Sequence, residues 1–305
     1  MIHARSSPHF ENPLFSVPAI ALGLCLAIAL LSALLGLGRP KVAVAIAIDL
    51  SSSTGNLAAY AEPGTLMNQE IEAVQAYLQQ SSSTLKQPNE VKIFGFGGQT
   101  VPLTSGFLTD PKAAEAELIA KLDDSTLGSV LQPDSTNMNL AIAEASNALL
   151  QVQDRCRELL VVTDGNPTQP LEPQTLTQVI AQGIKINSIF VGVPDADLAK
   201  LGQMSTSTGG LLLASEASQL ASSFKEKLFG NINSNIKWII FWLGMAWISL
   251  MWMLILPLDR WVFQGMFGLK IDLAGRAALA NALFWTTATL SVLWKVSGIP
   301  FINAC

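Results

Sequence analysis

The hydrophobic residues of this chain follow two different patterns, and the first consists of long apolar runs. Residues 17–37, 238–256 and 277–294 contain no charged side chain. Because about 20 apolar residues in a helix cross the hydrocarbon core of a bilayer, each run predicts a transmembrane helix. The first run is long for the core of a signal peptide, and no clear A-x-A cleavage site follows it, which favours an uncleaved anchor.

The segments next to these runs carry further signals. Residues 1–16 and 295–305 are predicted as terminal tails, and residues 257–276 as either an amphipathic stretch in the membrane interface or a plain connecting loop. All seven tryptophans lie from Trp238 onward. Those near the ends of the runs suit interfacial belts, whereas Trp242 and Trp247 lie deeper and are expected to pack against another helix or subunit.

The second pattern, in residues 38–230, alternates between strand-like and helix-like segments. Residues 42–48 form a continuous β-favouring run, as in a strand that is buried on both faces. Further strands are predicted at residues 91–97, 159–163, 185–193 and 210–215, and helices at 66–80, 111–122 (capped by Asp110), 137–151, 173–182, 195–205 and 216–228. Such alternation predicts an α/β domain with a doubly wound, mostly parallel sheet. The glycine-rich residues 95–98 and those that follow predict an added hairpin.

Composition and charge limit the classes of function that are compatible with this chain. Only 13% of the residues are charged, against about 25% in a soluble domain, which agrees with membrane segments. Residues 38–230 contain 20 Asp and Glu against 12 Lys and Arg. This acidic balance argues against nucleic acid as a partner, because phosphate-backbone binding needs clustered basic residues. The three cysteines are not spaced as in a zinc site or a redox CxxC motif.

Oxygen-bearing side chains follow the predicted strands where a functional site is expected. Asp49, Ser51 and Ser53 come directly after the first strand, Thr136 opens an alanine-rich helix, and Asp164 follows the strand at 159–163. In open parallel sheets, the loops at the carboxyl ends of the strands form the binding site. Hard oxygen donors suit Mg²⁺ or Mn²⁺ and do not suit zinc or copper.

Three motifs in this order resemble the von Willebrand factor A family and its metal-ion-dependent adhesion site. They are D-x-S-x-S at residues 49–53, T-N-x-x-x-A at 136–141 and V-V-T-D-G at 161–165. The resemblance implies that Asp49, Ser51, Ser53, Thr136 and Asp164 surround a divalent ion, Mg²⁺ or Mn²⁺. Asp134 is expected either to cap the following helix or to join the metal shell, directly or through water.

The resemblance also implies a function in adhesion or complex assembly rather than catalysis. In the family, an Asp or Glu of a partner protein fills an open position on the ion. The arrangement of anchor, domain and anchor is similar to bacterial membrane proteins associated with chaperone-like ATPases and aerotolerance. The alternative is a structural subunit of a membrane complex, which acts through its tryptophan-rich helices and contacts other membrane subunits.

Enzyme classes with similar sheets fit less well. A haloacid dehalogenase-like phosphatase needs a second Asp two residues after Asp49, where this chain has Ser51. The segment GFGGQT lacks the G-x-G-x-x-G spacing of dinucleotide-binding proteins. Both histidines, His3 and His9, lie in the N-terminal tail, which excludes a Ser-His-Asp triad within the domain.

The basic residues that flank the apolar runs are nearly balanced between the two sides of the membrane. One side would hold Arg5, Arg260, Lys270 and Arg276, and the other Arg39, Lys41, Lys225, Lys227, Lys237 and Lys295. The positive-inside count slightly favours a cytoplasmic domain. The usual extracellular or periplasmic location of family members favours an extracytoplasmic domain instead. We expect a bacterial plasma-membrane protein that crosses three times and carries an extracytoplasmic domain.

Overall fold

The computed structural model describes residues 13–57, 60–164, 167–191, 196–215 and 219–296. The chain divides into two compact units. One is Pro40–Asn233, and the other combines Met1–Arg39 with Ser234–Cys305. The predictions made for residues 1–12, Gly165 and residues 297–305 lie outside the described residues.

The described part of Pro40–Asn233 contains one six-stranded sheet. Its strands are β1 (Val42–Asp49), β2 (Glu90–Phe96), β3 (Thr100–Pro102), β4 (Cys156–Thr163), β5 (Lys185–Val191) and β6 (Leu212–Ser215). They lie in the order β3-β2-β1-β4-β5-β6. All neighbours are parallel except β3, which runs antiparallel to β2. The doubly wound, mostly parallel α/β sheet is therefore confirmed, and β3 forms the expected added hairpin.

Helices connect the strands in one unit and make up most of the other. In chain order they are α1 (Pro13–Leu35), α2 (Leu66–Thr84), α3 (Pro111–Leu122), α4 (Leu127–Leu131), α5 (Met138–Leu150), α6 (Pro173–Ala181), α7 (Ala196–Ser207), α8 (Leu220–Ser222), α9 (Phe229–Ile232), α10 (Ile236–Met253), α11 (Ile255–Pro257) and α12 (Ile271–Val296). Wide π-helical turns continue the chain at Ser223–Leu228 and Leu258–Met266. Asp110 caps α3 as predicted, since its side chain accepts a hydrogen bond from Lys112 N.

Strand β1 lies at the centre of the sheet because its sequence suits burial on both faces. Its eight residues are all buried. The larger Val and Ile side chains, such as Ile46, face a core shared with Val74 of α2 and Leu118 of α3. The alanines, such as Ala45, face a second core shared with Ile142 of α5. Small residues on one side thus let α5 approach closely, while the other side fills a wider space.

Among the described residues, the unit formed by the two ends of the chain contains three helices that are long and apolar enough to cross a membrane. They are Pro13–Leu35, Ile236–Met266 and Ile271–Lys295, with 23, 31 and 25 residues. The structure places Leu258–Met266 in a helix, where the sequence suggested an interfacial stretch or a loop. Helix α12 begins at Ile271, six residues before the apolar run at 277–294. The apolar run does not mark the start of the helix, because the first turns of α12 include polar and charged residues.

Polar contacts and aromatic packing join α10 and α12 within this unit. Trp252 Nε1 donates a hydrogen bond to Thr286 Oγ1 at 3.0 Å. The rings of Trp247 and Trp285 meet edge to face with centroids 5.6 Å apart. Trp247 thus packs against another helix, as expected. Trp252, one of the tryptophans near the end of an apolar run, thus also bonds to a neighbouring helix.

Candidate metal centre

The carboxyl ends of β1 and β4 bring two aspartates to the same edge of the sheet. The two strands are parallel neighbours, with Ile48 opposite Val162. Asp49 is the last residue of β1, and Asp164 follows the end of β4. Because the pairing is in register, both carboxylates emerge side by side, where ligands bind in open α/β sheets.

The Asp49 side chain is held by hydrogen bonds at both oxygens. It is fully buried. Oδ1 accepts from Ser51 N at 3.1 Å and from Ser51 Oγ at 2.6 Å. Oδ2 accepts from Thr163 Oγ1 at 2.7 Å. These bonds fix the orientation of the carboxylate, and Thr163 is a residue that the sequence analysis missed, although it directly precedes Asp164.

The first loop folds so that its alternate side chains meet. Ser51 Oγ lies 3.0 Å from Ser53 Oγ. Thr54 Oγ1 donates to the carbonyl oxygens of Asp49 at 3.1 Å and Ser51 at 2.8 Å, which closes the turn. Asp49 and Ser51 are buried, whereas Ser53 is exposed. The loop therefore presents a carboxylate and two hydroxyls in a row that runs from the core to the surface.

The second loop is tied to the first through its backbone. Ser52 N donates to Pro133 O at 2.8 Å, and Asn137 N donates to Gly97 O at 2.7 Å. Gly98 lies so close to this loop that a Cβ there would collide with the Ser135 side chain. The β2–β3 hairpin thus supports the second loop from outside the site.

Thr136 joins the second loop to the third. Its side chain is buried, with 3% exposure. Thr136 N donates to Thr168 Oγ1 at 3.1 Å, and Thr168 Oγ1 donates to Thr136 O at 3.0 Å. The loops that carry Asp49, Thr136 and Asp164 are thereby cross-linked, so the five residues singled out in the sequence share one edge of the sheet.

Asp134 lies at the margin of this arrangement. Its side chain is exposed. Helix α5 is capped by Asn137, whose side chain accepts from Leu140 N at 3.1 Å. The expectation that Asp134 caps the helix was therefore wrong, because Asn137 directly precedes the first helical residue. Its participation in the metal shell stays a prediction.

The comparison with family models decides the identity of this domain. The model of the von Willebrand factor type A domain matches residues 44–227. The chain belongs to the von Willebrand factor type A family. Members of this family commonly bind a divalent metal at a metal-ion-dependent adhesion site and mediate protein–protein interactions. None of the curated proteins matches this sequence.

Solved structures with a similar fold include two proteins from Bacteroides. BatB from Bacteroides thetaiotaomicron is 18% identical, with a TM-score of 0.49 over 65% of this chain and 98% of its own. An aerotolerance-related membrane protein from Bacteroides fragilis is 19% identical, with a TM-score of 0.49 over 64% of this chain and 98% of its own.

A mussel protein has a similar fold within a longer chain. Proximal thread matrix protein 1 from the mussel byssus, with zinc in its adhesion-site motif, is 13% identical. The TM-score is 0.49, and the match covers 65% of this chain and 48% of the mussel protein. This chain thus spans about half the length of that relative.

The electrostatics of the von Willebrand factor type A site favour a cation. Burial raises the pKa of Asp49 to about 6, although the hydrogen bonds from Ser51 and Thr163 oppose this shift. The nearby charge of Asp164 makes a smaller contribution to this rise. A positive ion close to a buried carboxylate stabilises its ionised form. The donor set of carboxylate and hydroxyl oxygens fits a hard divalent cation.

Proposed function

We propose that this membrane-anchored domain binds Mg²⁺ or Mn²⁺ through Asp49, Ser51, Ser53, Thr136 and Asp164. Through that ion it binds an Asp or Glu of a protein partner, in adhesion or complex assembly. The observation that carries the proposal is the row of oxygens on the first loop, Asp49 Oδ1 with Ser51 Oγ at 2.6 Å and Ser51 Oγ with Ser53 Oγ at 3.0 Å.

The small number of carboxylates supports an incomplete, open coordination shell. Across the described ranges, no three His, Cys, Asp or Glu side chains form a metal-binding group. A cation at this edge therefore relies on hydroxyls and on ligands from outside the chain. Mg²⁺ seeks six oxygen ligands, so water or a partner carboxylate completes the shell. Two carboxylates also balance the charge of one divalent ion.

The proposed activity is binding rather than catalysis. Ser51 occupies the position where a phosphatase of this topology needs its general acid, and its hydroxyl donates to Asp49. The acidic balance of residues 38–230 disfavours nucleic acid as the partner. A partner carboxylate approaching this surface needs the ion, because without it the site carries only negative charge.

The metal site is tested by calorimetry on the full chain in detergent, titrated with Mg²⁺ and with Mn²⁺. We compare the parent with Asp49→Asn and Asp164→Asn, which keep side-chain size and remove charge. Asp154→Asn serves as the matched control, because Asp154 is exposed and lies at a turn before β4, where its φ of 59° suits Asn equally. We expect binding by the parent and the control, and its loss in both site variants. A folded parent that binds neither ion contradicts the proposal.

The partner is tested by purifying the full chain from native membranes in Mg²⁺ or in EDTA. We expect proteins that co-purify in Mg²⁺ to be lost in EDTA and in Asp164→Asn, and to be kept in Asp154→Asn. A set of co-purifying proteins that is the same in all samples contradicts metal-dependent assembly. That result favours the alternative, a structural subunit that acts through its membrane helices, for which the exposed Trp247 on α10 (41% exposed) offers a surface.

We further propose that the helices cross a bacterial plasma membrane three times and place the domain outside the cytoplasm. The support is the three apolar helices of 23, 31 and 25 residues. Protease added to intact spheroplasts is expected to digest the segment around residues 40–233. Protection of that segment until the membrane is opened places it in the cytoplasm instead.

A further inference from the structure

Helix α2 buries a carboxyl group for which the fold shows no structural use. Glu70 is completely buried on the face of α2 that also carries Met67 and Val74. Neither carboxylate oxygen has a hydrogen-bond partner in the described part of the chain. None of the ion pairs between described residues includes Glu70. A buried polar group without a partner is unfavourable, and such a group calls for an explanation in the function of the site.

Glu70 lies close to the candidate metal centre. One turn earlier on the same helix face, Met67 packs against the first loop, and its Cβ is 3.7 Å from the position that a Cβ on Gly55 would occupy. The charges of Asp49 and Asp164 both act on Glu70. Burial, and to a lesser extent those two charges, raise the pKa of Glu70 well above its usual range. Glu70 therefore lies within electrostatic reach of both aspartates of the site, and their charges disfavour its ionised form.

Resting on the proposed metal site, we propose that Glu70 is a third acidic group of that site, a positioning residue that strengthens cation binding through its charge. It does so without touching the ion, because no three carboxylates of the described residues lie close enough together to ligate one ion. A cation bound nearby stabilises the ionised form of Glu70. The negative charge of the buried Glu70 carboxylate is then balanced by the bound cation rather than by another side chain.

The test uses the full chain in detergent and two variants that remove the charge in different ways. Glu70→Gln keeps the shape, and Glu70→Leu suits the apolar surroundings. The control is Glu72→Gln, two residues further along the same helix, where the side chain is exposed. Affinity for Mg²⁺ and Mn²⁺ is measured by calorimetry, and domain stability by urea denaturation with and without the ion.

We expect both Glu70 variants to bind the cation about tenfold or more weakly, the loss typical of groups that support metal ligands. A tenfold loss corresponds to about 1.4 kcal/mol. The metal-free stability of Glu70→Leu is expected to equal or exceed that of the parent, because an unpartnered carboxyl is removed. The stability gained from the ion is expected to shrink in both variants and to stay unchanged in Glu72→Gln.

Parental affinity in either folded Glu70 variant overturns the inference and leaves the metal site intact. A merely structural role lowers the stability equally with and without the ion and leaves affinity unchanged, which also overturns it. Absence of binding by the parent itself contradicts the proposed function, and the inference with it. Failure of the proposed metal site would thus appear in the parent protein, whereas failure of the inference about Glu70 alone would appear only in the Glu70 variants.

Discussion

The hydrogen bond from Thr163 to Asp49 provides a stringent test of how this site is built. Thr163 is completely buried in β4, and its Oγ1 donates to Asp49 Oδ2 at 2.7 Å. Thr163→Val keeps the shape and removes the donor, so that Oδ2 is left buried without this partner. Breaking a hydrogen bond to a charged group costs about 1.5–3 kcal/mol. We expect Thr163→Val to lower the stability of the domain by about 1.5–3 kcal/mol. We also expect weaker cation binding, because the Asp49 carboxylate is no longer held in place.

For a domain of this size, about 2 kcal/mol lowers the melting temperature by about 4–8 °C. All seven tryptophans lie from Trp238 onward, outside the domain, so tryptophan fluorescence does not report its unfolding. Hydrogen–deuterium exchange of the full chain in detergent resolves peptides of β1 and β4 directly.

The control for this prediction is a double-mutant cycle with Asp49→Asn. If the bond carries the effect, Thr163→Val costs less stability in the Asp49→Asn background than in the parent. Thr163→Val with parental stability and parental metal affinity refutes the reasoning. Equal costs in both backgrounds refute it too, because the loss then comes from packing.

Three further predictions concern pH, the hairpin and the membrane helices. Because the pKa of Asp49 is raised from 3.8 to about 6 in the folded state, the metal-free domain binds a proton on Asp49 more tightly than the unfolded chain does. It should therefore lose about 2 kcal/mol of stability as the pH rises from about 4 to about 7, relative to Asp49→Asn. Urea denaturation followed by circular dichroism measures this, and identical pH profiles contradict it. Gly98→Ala should cost about 1–3 kcal/mol and weaken metal binding, because the added Cβ meets Ser135, whereas Gly106→Ala meets nothing within 4 Å and should be neutral in the same assays. Trp252→Phe should lower the resistance of the membrane unit to SDS by about 0.6 kcal/mol through loss of the bond to Thr286, and an unchanged SDS transition contradicts a stabilising role.

The features that the sequence predicts well are those encoded within short segments. The run at residues 42–48 predicts a strand buried on both faces, and β1 is such a strand. The donors of the first loop lie within five residues, so their spacing alone brings Ser51 and Ser53 together. Parallel strands end at a common edge, which brings Asp164 to the same site.

The features that sequence reasoning missed depend on contacts between distant segments. Thr163 reaches Asp49 across 114 positions, and only the register of β1 with β4 determines that contact. Glu70 occupies a helix position whose burial depends on what packs against it, so nothing in the local sequence singled it out. Asp and Asn are both common N-cap residues, and the position at which the helix begins makes Asn137 rather than Asp134 the N-cap.

Segments without a clear period were also difficult to predict. Helix α4 has five residues, too few for a hydrophobic repeat to be recognised. The second apolar run ends at residue 256, shortly before Asp259 and Arg260, yet the chain stays helical as far as Met266. A pair of charges therefore marked the end of the apolar run and not the end of the helix.

The central claim, that Asp49, Ser51, Ser53, Thr136 and Asp164 hold a divalent cation, is tested most directly by anomalous diffraction from crystals of the full chain grown in MnCl₂. We predict a manganese peak at the carboxyl ends of β1 and β4, within about 2.0–2.4 Å of oxygens of the first loop. The peak should be lost in crystals of Asp164→Asn. An ordered first loop with no peak, or a peak bound only by residues elsewhere, contradicts the account.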